Sequence, residues 1–393
     1  MGILHRCPRC GDLLEIQYDY DVKDISVDVW EARDASVWRY RELLPIKKPT
    51  SIVTLKEGGT PLYECHRIGK DLQIKDVHVK NEGENPTGSF KDRGMTVAVT
   101  KVVEVGGTTV TCASTGNTSA SLAAYAARAG LRCIIFIPEG KIALGKLVQA
   151  VAHGAEVIQL QGNFDEALEA ALAIVELDKS VFLLNSINPF RVEGQKTLAF
   201  EICSQLGYRS PDVVIIPVGN AGNITSLWKG FKEFKRLHII DELPRIIGVQ
   251  AEGASPIAEA FHGKLNRIER ARNPETVATA IRIGNPVNWK RALAAAYESH
   301  GAILTVSDAE ILKAQRYLAS REGVFVEPAS ASSIAYLEKG LKDGQIGRDE
   351  EVVCVTTGHG LKDPDIVLNR FKDLKSYPPD IKTLQKVVQA KYL

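Results

Sequence analysis

Asn85-Pro86-Thr87-Gly88-Ser89-Phe90-Lys91-Asp92-Arg93-Gly94-Met95 is the stretch around which the rest of the chain is organised. Its first half contains two loop dipeptides, Asn-Pro and Thr-Gly. Its second half leads into residues 95–105, where apolar side chains recur at helical spacing. Lys91 is therefore predicted to lie where a loop becomes a helix, close to backbone amides and to an aromatic ring.

A lysine in that position differs chemically from a surface lysine. Partial burial disfavours the ammonium form, so its pKa falls and a free amine becomes available near neutral pH. A free amine is the group that Schiff-base formation requires. Taken by itself, the run is more often explained by a solvated lysine that opens a helix. Its meaning therefore depends on the other motifs of the chain.

Composition and length limit the possible classes of protein. The chain has 393 residues, enough for two domains with substantial cores. It carries 49 basic and 48 acidic side chains, so we expect no electrostatic binding to nucleic acid or to a membrane surface. No apolar run reaches the roughly 18 residues of a membrane span, and residues 1–12 lack a signal-peptide pattern. Seven cysteines, mostly in apolar segments, favour reduced thiols and a cytoplasmic location.

Alternating strands and helices indicate an α/β fold. Residues 13–30 are predicted to form short alternating strands, residues 193–205 a single helix, and residues 379–393 an amphipathic tail helix. Strands are predicted at 77–80, 108–113, 132–138, 156–160, 181–185, 212–217, 245–251, 302–306 and 352–356. Helical patterns separate most of them, which indicates parallel sheets joined by βαβ connections.

Cys7-Pro8-Arg9-Cys10 is half of a zinc ribbon. A structural zinc site needs four ligands, and the chain has no second Cys-x-x-Cys. His5 and His66 complete a site only if folding brings them there. We therefore expect a degenerate knuckle without metal.

Gly219-Asn220-Ala221-Gly222-Asn223 follows a predicted buried strand and precedes a predicted helix. Two glycines let backbone N–H groups converge on a phosphate, and the start of a helix adds partial positive charge. The loop lacks Gly-Lys-Ser/Thr, so it is not a nucleotide P-loop. An ordinary turn between strand and helix is an equally good interpretation of these five residues alone.

Three more polar loops follow predicted strands, where ligands bind in open α/β sheets. Ser114-Thr115-Gly116-Asn117-Thr118 either binds an anion, such as a carboxylate, or simply caps a helix. The loop from Asn185-Ser186 to Arg191 supplies a guanidinium suited to phosphate, although such an arginine is commonly solvated. Thr356-Thr357-Gly358 ends the last strand.

Ser89-Phe90-Lys91-Asp92-Arg93-Gly94-Met95 resembles the cofactor-lysine signature of the threonine synthase family, and the other motifs follow in that family's order. These are pyridoxal-phosphate enzymes of fold type II, similar to the tryptophan synthase β family, and the likeness runs from Trp38 to about Pro364. The resemblance implies two open, mostly parallel twisted sheets with flanking helices and pyridoxal 5'-phosphate between two domains. The expected parts are an N-terminal extension at 1–50, a smaller domain at 93–189, a larger domain at 51–92 plus 190–375, and a C-terminal helix at 376–393.

The resemblance also implies the roles of the site residues. Lys91 binds the cofactor and is the catalytic amine. Asn117 contacts the ring hydroxyl, and Thr357, or its neighbour Thr356, meets the ring nitrogen. The cofactor phosphate lies on Gly219, Asn220, Ala221, Gly222 and Asn223. Ser114 and Thr115 are expected at the substrate carboxylate, and the substrate phosphate is expected on Thr118, Asn185, Ser186 and Arg191. Apart from the resemblance, Lys141 and Lys146 border another predicted helix start and either assist at that phosphate or are solvated, as lysines there usually are.

The implied reaction converts O-phospho-L-homoserine and water to L-threonine and phosphate by γ-elimination and β-addition, in a homodimer. Cysteate synthase, which acts on phosphoserine, would keep the same cofactor residues and phosphate cation. Serine and threonine dehydratases share the fold but carry a run of glycines where this chain has residues 219–223. A different class of function is a non-catalytic cofactor-binding or zinc-ribbon protein, which the presence of Lys91, Asn117 and Arg191 argues against.

Overall fold

The computed structural model describes residues 4–20, 25–139, 144–162, 164–369 and 376–390. The chain forms two compact units, Met1–Lys362 and Asp363–Leu393. The strands are β1 Leu62–Glu64, β2 Asp76–Asn81, β3 Thr109–Ala113, β4 Arg132–Pro138, β5 Glu156–Leu160, β6 Val181–Leu183, β7 Val213–Pro217, β8 Arg245–Ala251, β9 Ala302–Val306 and β10 Glu351–Thr356.

The α-helices of the first unit are α1 Val27–Glu31, α2 His66–Leu72, α3 Lys91–Glu104, α4 Asn117–Ala129, α5 Leu144–Ala152, α6 Phe164–Leu177, α7 Pro189–Gln195, α8 Thr197–Gln205, α9 Gly222–Arg236, α10 Pro256–His262, α11 Trp289–Glu298, α12 Asp308–Glu322 and α13 Pro328–Lys342. The second unit contains α14 Asp365–Leu368 and α15 Ile381–Ala390. Among the residues of these ranges that the structure describes, no helix is both long and apolar enough to cross a membrane.

The predicted α/β fold class with two mostly parallel sheets is confirmed. One sheet has the strand order β1-β2-β10-β7-β8-β9, and every pair in it is parallel except β1 with β2. The other has the order β5-β4-β3-β6 and is parallel throughout. Every residue of β7 and β10 is buried, as expected of parallel strands covered by helices on both faces.

The strand order brings the predicted motifs together in pairs. In the larger sheet β10 lies beside β7, so Thr357 and the loop 219–223 leave the same edge. In the smaller sheet β3 lies beside β6, so the loops 114–118 and 184–188 also leave one edge. Since parallel strands end on the same side of a sheet, each sheet presents two of the four motifs at its carboxyl edge.

Helices α3 and α7 touch through their backbones. A Cβ on Gly194 would lie 1.9 Å from the carbonyl oxygen of Arg93, and a Cβ on Gly94 would lie 2.8 Å from that of Arg191. Two glycines therefore allow an approach that any side chain would prevent. This contact sets the start of α3, with Lys91, against the helix that carries Arg191.

A buried ion cluster holds α3 from the other side. Arg93 donates to Glu82 at 2.5 and 2.8 Å and to Glu201 at 2.6 and 2.7 Å, and Lys80 donates to Glu201 at 2.9 Å. All four side chains are buried. Burial favours the neutral acid, but Arg93 and Lys80 outweigh it and hold the pKa of Glu201 far below its usual range. The cluster ties α3 to β2 and α8.

Two predictions for secondary structure are wrong. Residues 14–20 form no strand, because no neighbouring strand pairs with them in the part of the chain that is described, and 27–31 is helical. The single helix predicted at 193–205 is two helices that meet at Lys196, where the hydroxyl of Thr197 bonds the carbonyl of Gly194. The tail helix is confirmed for 381–390, whereas residues 391–393 lie outside the described chain. The domain boundaries at 50, 93, 189 and 375 stay predictions.

Replacing Glu201 with alanine should lower the free energy of unfolding by about 3–5 kcal/mol, because it leaves Arg93 and Lys80 buried without their shared partner. Chemical denaturation measures this loss. The matched control is Glu338→Ala, which removes a partner from two exposed lysines and should cost less than about 1 kcal/mol. Equal losses in the two variants would contradict the role given to the cluster.

Candidate active site

Lys91 is the first residue of α3, as the sequence predicted. Its Nζ lies 3.7 Å from the centroid of the Phe90 ring, and its side chain is half-buried. It forms no ion pair with any residue that the structure describes. The loop before it is fixed at Phe90, whose backbone N–H donates to the carbonyl of Thr357 at 3.1 Å.

Asp92 holds the same loop from within the helix. Its carboxylate accepts the backbone N–H and the hydroxyl of Thr87, both at 2.7 Å, and the hydroxyl of Ser121 at 2.6 Å. Burial raises the pKa of Asp92 to about 6 against the lowering effect of these bonds. Since Ser121 belongs to α4, Asp92 joins the Lys91 loop to the helix that begins with Asn117.

The pKa of the Lys91 amine lies close to neutral pH. Burial, and next the positive charge of Arg191, lower its pKa to about 7, while Glu327 acts in the opposite direction. The partial positive charge at the start of α3 also disfavours an ammonium there. A substantial part of Lys91 is therefore a free amine at neutral pH, which agrees with the expectation from its sequence position.

Arg191 is a buried cation that has no counter-ion among the residues that the structure describes. Its side chain is only 2 % exposed, one terminal nitrogen donates to the carbonyl of Leu184 at 3.2 Å, and Nε has no partner in the described chain. Burial lowers its pKa to about 10. The interpretation of Arg191 as a solvated helix arginine is therefore wrong. A buried guanidinium that lacks a carboxylate is suited to an incoming anion.

The loop 219–223 supplies hydrogen-bond donors without acceptors. Within the described residues, none of its five backbone N–H groups donates a hydrogen bond to a protein acceptor. Ala221 adopts the left-handed conformation, with a φ of 63°, directly before α9. The amide of Asn223 is also buried with neither its nitrogen nor its oxygen paired in this part of the structure. Unpaired amides at a helix start form a site for an anion.

The loop 114–118 leads into α4. Gly116 caps the helix and donates its backbone N–H to the hydroxyl of Ser114 at 3.2 Å. Asn117 donates its side-chain amide to both carboxylate oxygens of Glu327 at 3.1 Å. Thr115 and Thr118 are half-buried beside them. Glu327 is therefore bonded to Asn117 and lies close enough to Lys91 for its negative charge to act on the pKa of that amine.

Asn185 and Ser186 follow β6. The amide of Asn185 accepts from the backbone N–H of Ala113 at 3.0 Å and donates to the carbonyl of Ala113 at 2.9 Å. It thereby joins the ends of β3 and β6 and fixes the two loops side by side. The structure thus gives Asn185 a structural contact, and its direct contact with a phosphate stays a prediction. Ser186 is half-buried, and its carbonyl accepts from the amide of Asn288.

The two threonines that end β10 point to different neighbours. The hydroxyl of Thr356 bonds the carbonyl of Lys80 and the side chain of Asn81 on β2. The hydroxyl of Thr357 lies 3.0 Å from that of Ser330, and its carbonyl anchors Phe90 beside Lys91. Of the pair, Thr357 is the one next to the lysine loop. Sequence reasoning missed Ser330, for which the only sign was its place near the start of a helix after Pro328.

Two further predictions concern the lysines that could assist at the substrate phosphate and the cysteine knuckle near the N-terminus. Lys141 and the side chain of Lys146 lie outside the described residues. Cys7 and Cys10 have free thiols in a tight turn closed by the bond from Gly11 N–H to the Cys7 carbonyl at 2.9 Å. In the described parts of the chain, no group of three or more His, Cys, Asp or Glu side chains is arranged to hold a metal.

The folded chain therefore contains an amine with a pKa near 7, a buried guanidinium with no carboxylate partner among the described residues, and a loop of unpaired amides. Such a set can bind two anionic groups and can accept and return a proton through the amine.

Comparisons with known proteins give three findings. Residues 53–358 match the family described as pyridoxal-phosphate-dependent enzymes. The chain is 58 % identical to a threonine synthase of Methanocaldococcus jannaschii over 98 % of this chain and 96 % of that one, and 51 % identical to one of Methanosarcina acetivorans over 99 % and 95 %. The solved structure of maize serine racemase has the same fold, with a TM-score of 0.68, 19 % identity and coverage of 80 % of this chain and 92 % of that one.

Gly194→Ala should destabilise the fold by about 1–3 kcal/mol, because the new methyl group meets the Arg93 carbonyl and forces α3 and α7 apart. Denaturant titration measures the change. Gly347→Ala is the matched control, since its methyl group would meet only the flexible side chain of Glu350 on the surface. A Gly194→Ala protein as stable as the control would show that the close contact is not required.

Lys91 should react with acetic anhydride as an amine of pKa about 7 when cofactor-free protein is labelled across neutral pH. Below that pH the ammonium is unreactive, and above it the free amine is acetylated. Peptide mass spectrometry reads the labelling, with exposed Lys264 as the reference for reagent reactivity. Arg191→Met should move the midpoint upward, because it removes a neighbouring positive charge. A midpoint near the ordinary lysine value of about 10.4 would contradict this account.

Proposed function

The chain belongs to the family of pyridoxal-phosphate-dependent enzymes, and from that premise we propose that it acts as a threonine synthase. It converts O-phospho-L-homoserine and water to L-threonine and phosphate. One structural observation carries the proposal: Arg191 is buried with no counter-ion in the described part of the chain, and its charge acts on Lys91, whose pKa is about 7. That pair suits a substrate that is an amino acid and also carries an anionic group such as phosphate.

The residues present fit pyridoxal 5'-phosphate. An aldehyde needs an unprotonated amine, which the lowered pKa of Lys91 supplies. A phosphate needs several donors at once, and the unpaired N–H groups of 219–223 supply them. Lys91 would hold the cofactor covalently, residues 219–223 its phosphate, Asn117 its ring hydroxyl and Thr357 its ring nitrogen. When bound, the cofactor withdraws electrons from the α-carbon of an amino acid.

Lys91 is the group that moves protons. Its Nζ accepts the proton from the α-carbon of the substrate and later returns it. One amine can do both only if its pKa lies near the working pH, and a value of about 7 meets that need. Phe90 and the start of α3 keep the amine partly shielded, while Asp92 holds its loop in place.

Two loops bind the ends of the substrate. The start of α4, with Ser114 and Thr115, holds the carboxylate, since the first N–H groups of a helix attract anions. Arg191 holds the phosphate with Ser186 and Thr118, and it keeps that group bound as it leaves. Asn185 fixes the distance between these loops through Ala113.

Thr357 would influence whether the ring nitrogen of the bound cofactor is protonated. A neutral hydroxyl at that atom, unlike a carboxylate, does not require the nitrogen to stay protonated. The bond between Thr357 and Ser330 at 3.0 Å orients the hydroxyl. Ser330 also accepts the backbone N–H groups of Thr357 and Gly358, at 2.9 and 2.8 Å, and so holds the end of β10.

The setting of the enzyme belongs to the same proposal. It works in the cytoplasm as a homodimer on a free phosphorylated amino acid, without nucleic acid. Its smaller domain, 93–189, closes on the larger domain, 51–92 with 190–375, and shields the reaction from water. Buried free thiols at Cys65, Cys112, Cys133, Cys203 and Cys354 and the near-zero net charge support this setting.

Purified protein supplied with pyridoxal 5'-phosphate should release phosphate and form L-threonine from O-phospho-L-homoserine. Lys91→Ala should lower the rate by about 10³-fold or more, because both proton transfers use its Nζ. Lys264→Ala, at an exposed lysine, is the matched control and should keep full activity. Borohydride reduction followed by peptide mass spectrometry should find the cofactor on Lys91.

The same assay with O-phospho-L-serine and with L-threonine separates the alternatives. Preference for O-phospho-L-serine, with cysteate formed when sulfite is added as the sulfur nucleophile, would make the protein a cysteate synthase. Ammonia release from L-threonine would make it a dehydratase. A protein that binds the cofactor and turns over none of these substrates would overturn the proposal of an enzyme.

A further inference from the structure

Asn288 lies between the two phosphate-binding loops. It directly precedes α11 and is 1 % exposed. Its side-chain Nδ2 donates to the carbonyl of Asn220 at 3.3 Å and to the carbonyl of Ser186 at 3.4 Å. Its backbone N–H also donates to the Asn220 carbonyl, at 3.3 Å.

The side chain of Asn288 is not a helix cap. An asparagine that caps a helix uses its oxygen to accept a backbone N–H of the first turn. Here no such bond exists, and Oδ1 is buried without a partner among the described residues, while Nδ2 serves two carbonyls. Two carbonyl acceptors identify the nitrogen side of the amide. The buried side-chain amide of Asn288 therefore bonds both loops through its nitrogen, while its oxygen has no partner among the described residues.

The two loops come from different sheets. Asn220 follows β7 of the larger sheet, and Ser186 follows β6 of the smaller sheet. Under the proposed function, the first loop holds the cofactor phosphate and the second holds the substrate phosphate. A residue bonded to both therefore fixes how far apart the two phosphates are held.

We infer that Asn288 is a positioning residue that sets the spacing between the two phosphate sites and thereby selects the chain length of the phosphorylated amino acid. The inference rests on the proposed function. The substrate would be held at its amine end by the cofactor site at Lys91 and at its phosphate by Arg191, so the number of carbons between those ends must match the spacing. O-phospho-L-homoserine has one methylene more than O-phospho-L-serine, and a site discriminates one methylene by about 10- to 200-fold.

The test compares Asn288→Ala and Asn288→Asp in the holoenzyme. Alanine removes the donor and should raise KM for O-phospho-L-homoserine about tenfold, with a smaller change in kcat. The preference for this substrate over O-phospho-L-serine, as a ratio of kcat/KM values, should fall by about the same factor. Aspartate keeps the shape but faces two carbonyls with a carboxylate, so it should be worse than alanine. If Asn288 only filled space, the aspartate variant would be less impaired than the alanine variant.

Ser307→Ala is the matched control. It removes a side-chain cap at the start of α12, where Ser307 accepts the backbone N–H of Glu310 at 3.3 Å. It should lower Tm and leave the substrate ratio unchanged. Inorganic phosphate, used as a competitive inhibitor, gives a second readout, and its inhibition constant should rise in the Asn288 variants alone. If Asn288→Ala does not fold, Asn288→Ser takes its place: it removes the amide donor from the two carbonyls without adding a charge, and an unchanged substrate ratio and phosphate inhibition constant in it would contradict the inference.

The outcomes distinguish an error in the proposed function from an error in the role of Asn288. A wild-type protein that releases no phosphate from O-phospho-L-homoserine would refute the proposed function whatever Asn288 does. An active wild type with Asn288 variants that keep both the substrate ratio and the phosphate inhibition constant would refute the role of Asn288 and leave the proposed function standing.

Discussion

The backbone contact between Gly94 and Gly194 is the constraint on which the site depends. With no side chain at either position, α3 and α7 approach until carbonyl groups of one helix lie where a Cβ of the other would be. Each helix carries a basic residue in its first turn. Burial is the main cause of the lowered pKa of Lys91, and the contact between the helices brings the charge of Arg191 close enough to lower that pKa further. The reactivity of the lysine is thus a consequence of helix packing.

Such an arrangement is unfavourable by itself, and neighbouring groups stabilise it. Two basic groups lie near each other, and Arg191 is buried with no counter-ion among the described residues. The helix that carries Lys91 is held by the cluster of Arg93, Glu82 and Glu201 on one side and by the hydrogen bonds of Asp92 on the other. These groups are paired internally, so they contribute rigidity while leaving the amine unpaired. Stability and reactivity therefore reside in adjacent residues of one short stretch.

Unpaired polar groups collect around the two loops to which the proposed function assigns phosphates. The N–H groups of 219–223, the amide of Asn223, Nε of Arg191 and Oδ1 of Asn288 all lack partners within the described chain. Buried polar groups are normally satisfied, and exceptions are expected at functional sites. Here the exceptions lie in loops that the ends of β6 and β7 and the start of α11 bring together. Under the proposed function, the phosphate of the cofactor and the phosphate of the substrate would accept hydrogen bonds from the unpaired N–H groups among them.

The sequence by itself determined what depends on neighbours along the chain. The nearly continuous apolar run at 132–138 predicted a buried strand, and the loop-to-helix transition placed Lys91 at the start of α3. Only the tertiary structure decided contacts between distant residues, such as Asn185 with Ala113, Asn117 with Glu327, and Asn288 with Ser186. It also decided against strands at 14–20, because an alternating pattern becomes a strand only where another strand is free to pair with it. Periodicity is a property of neighbouring residues and can be seen in the sequence, whereas contacts between residues far apart in the chain form only on folding.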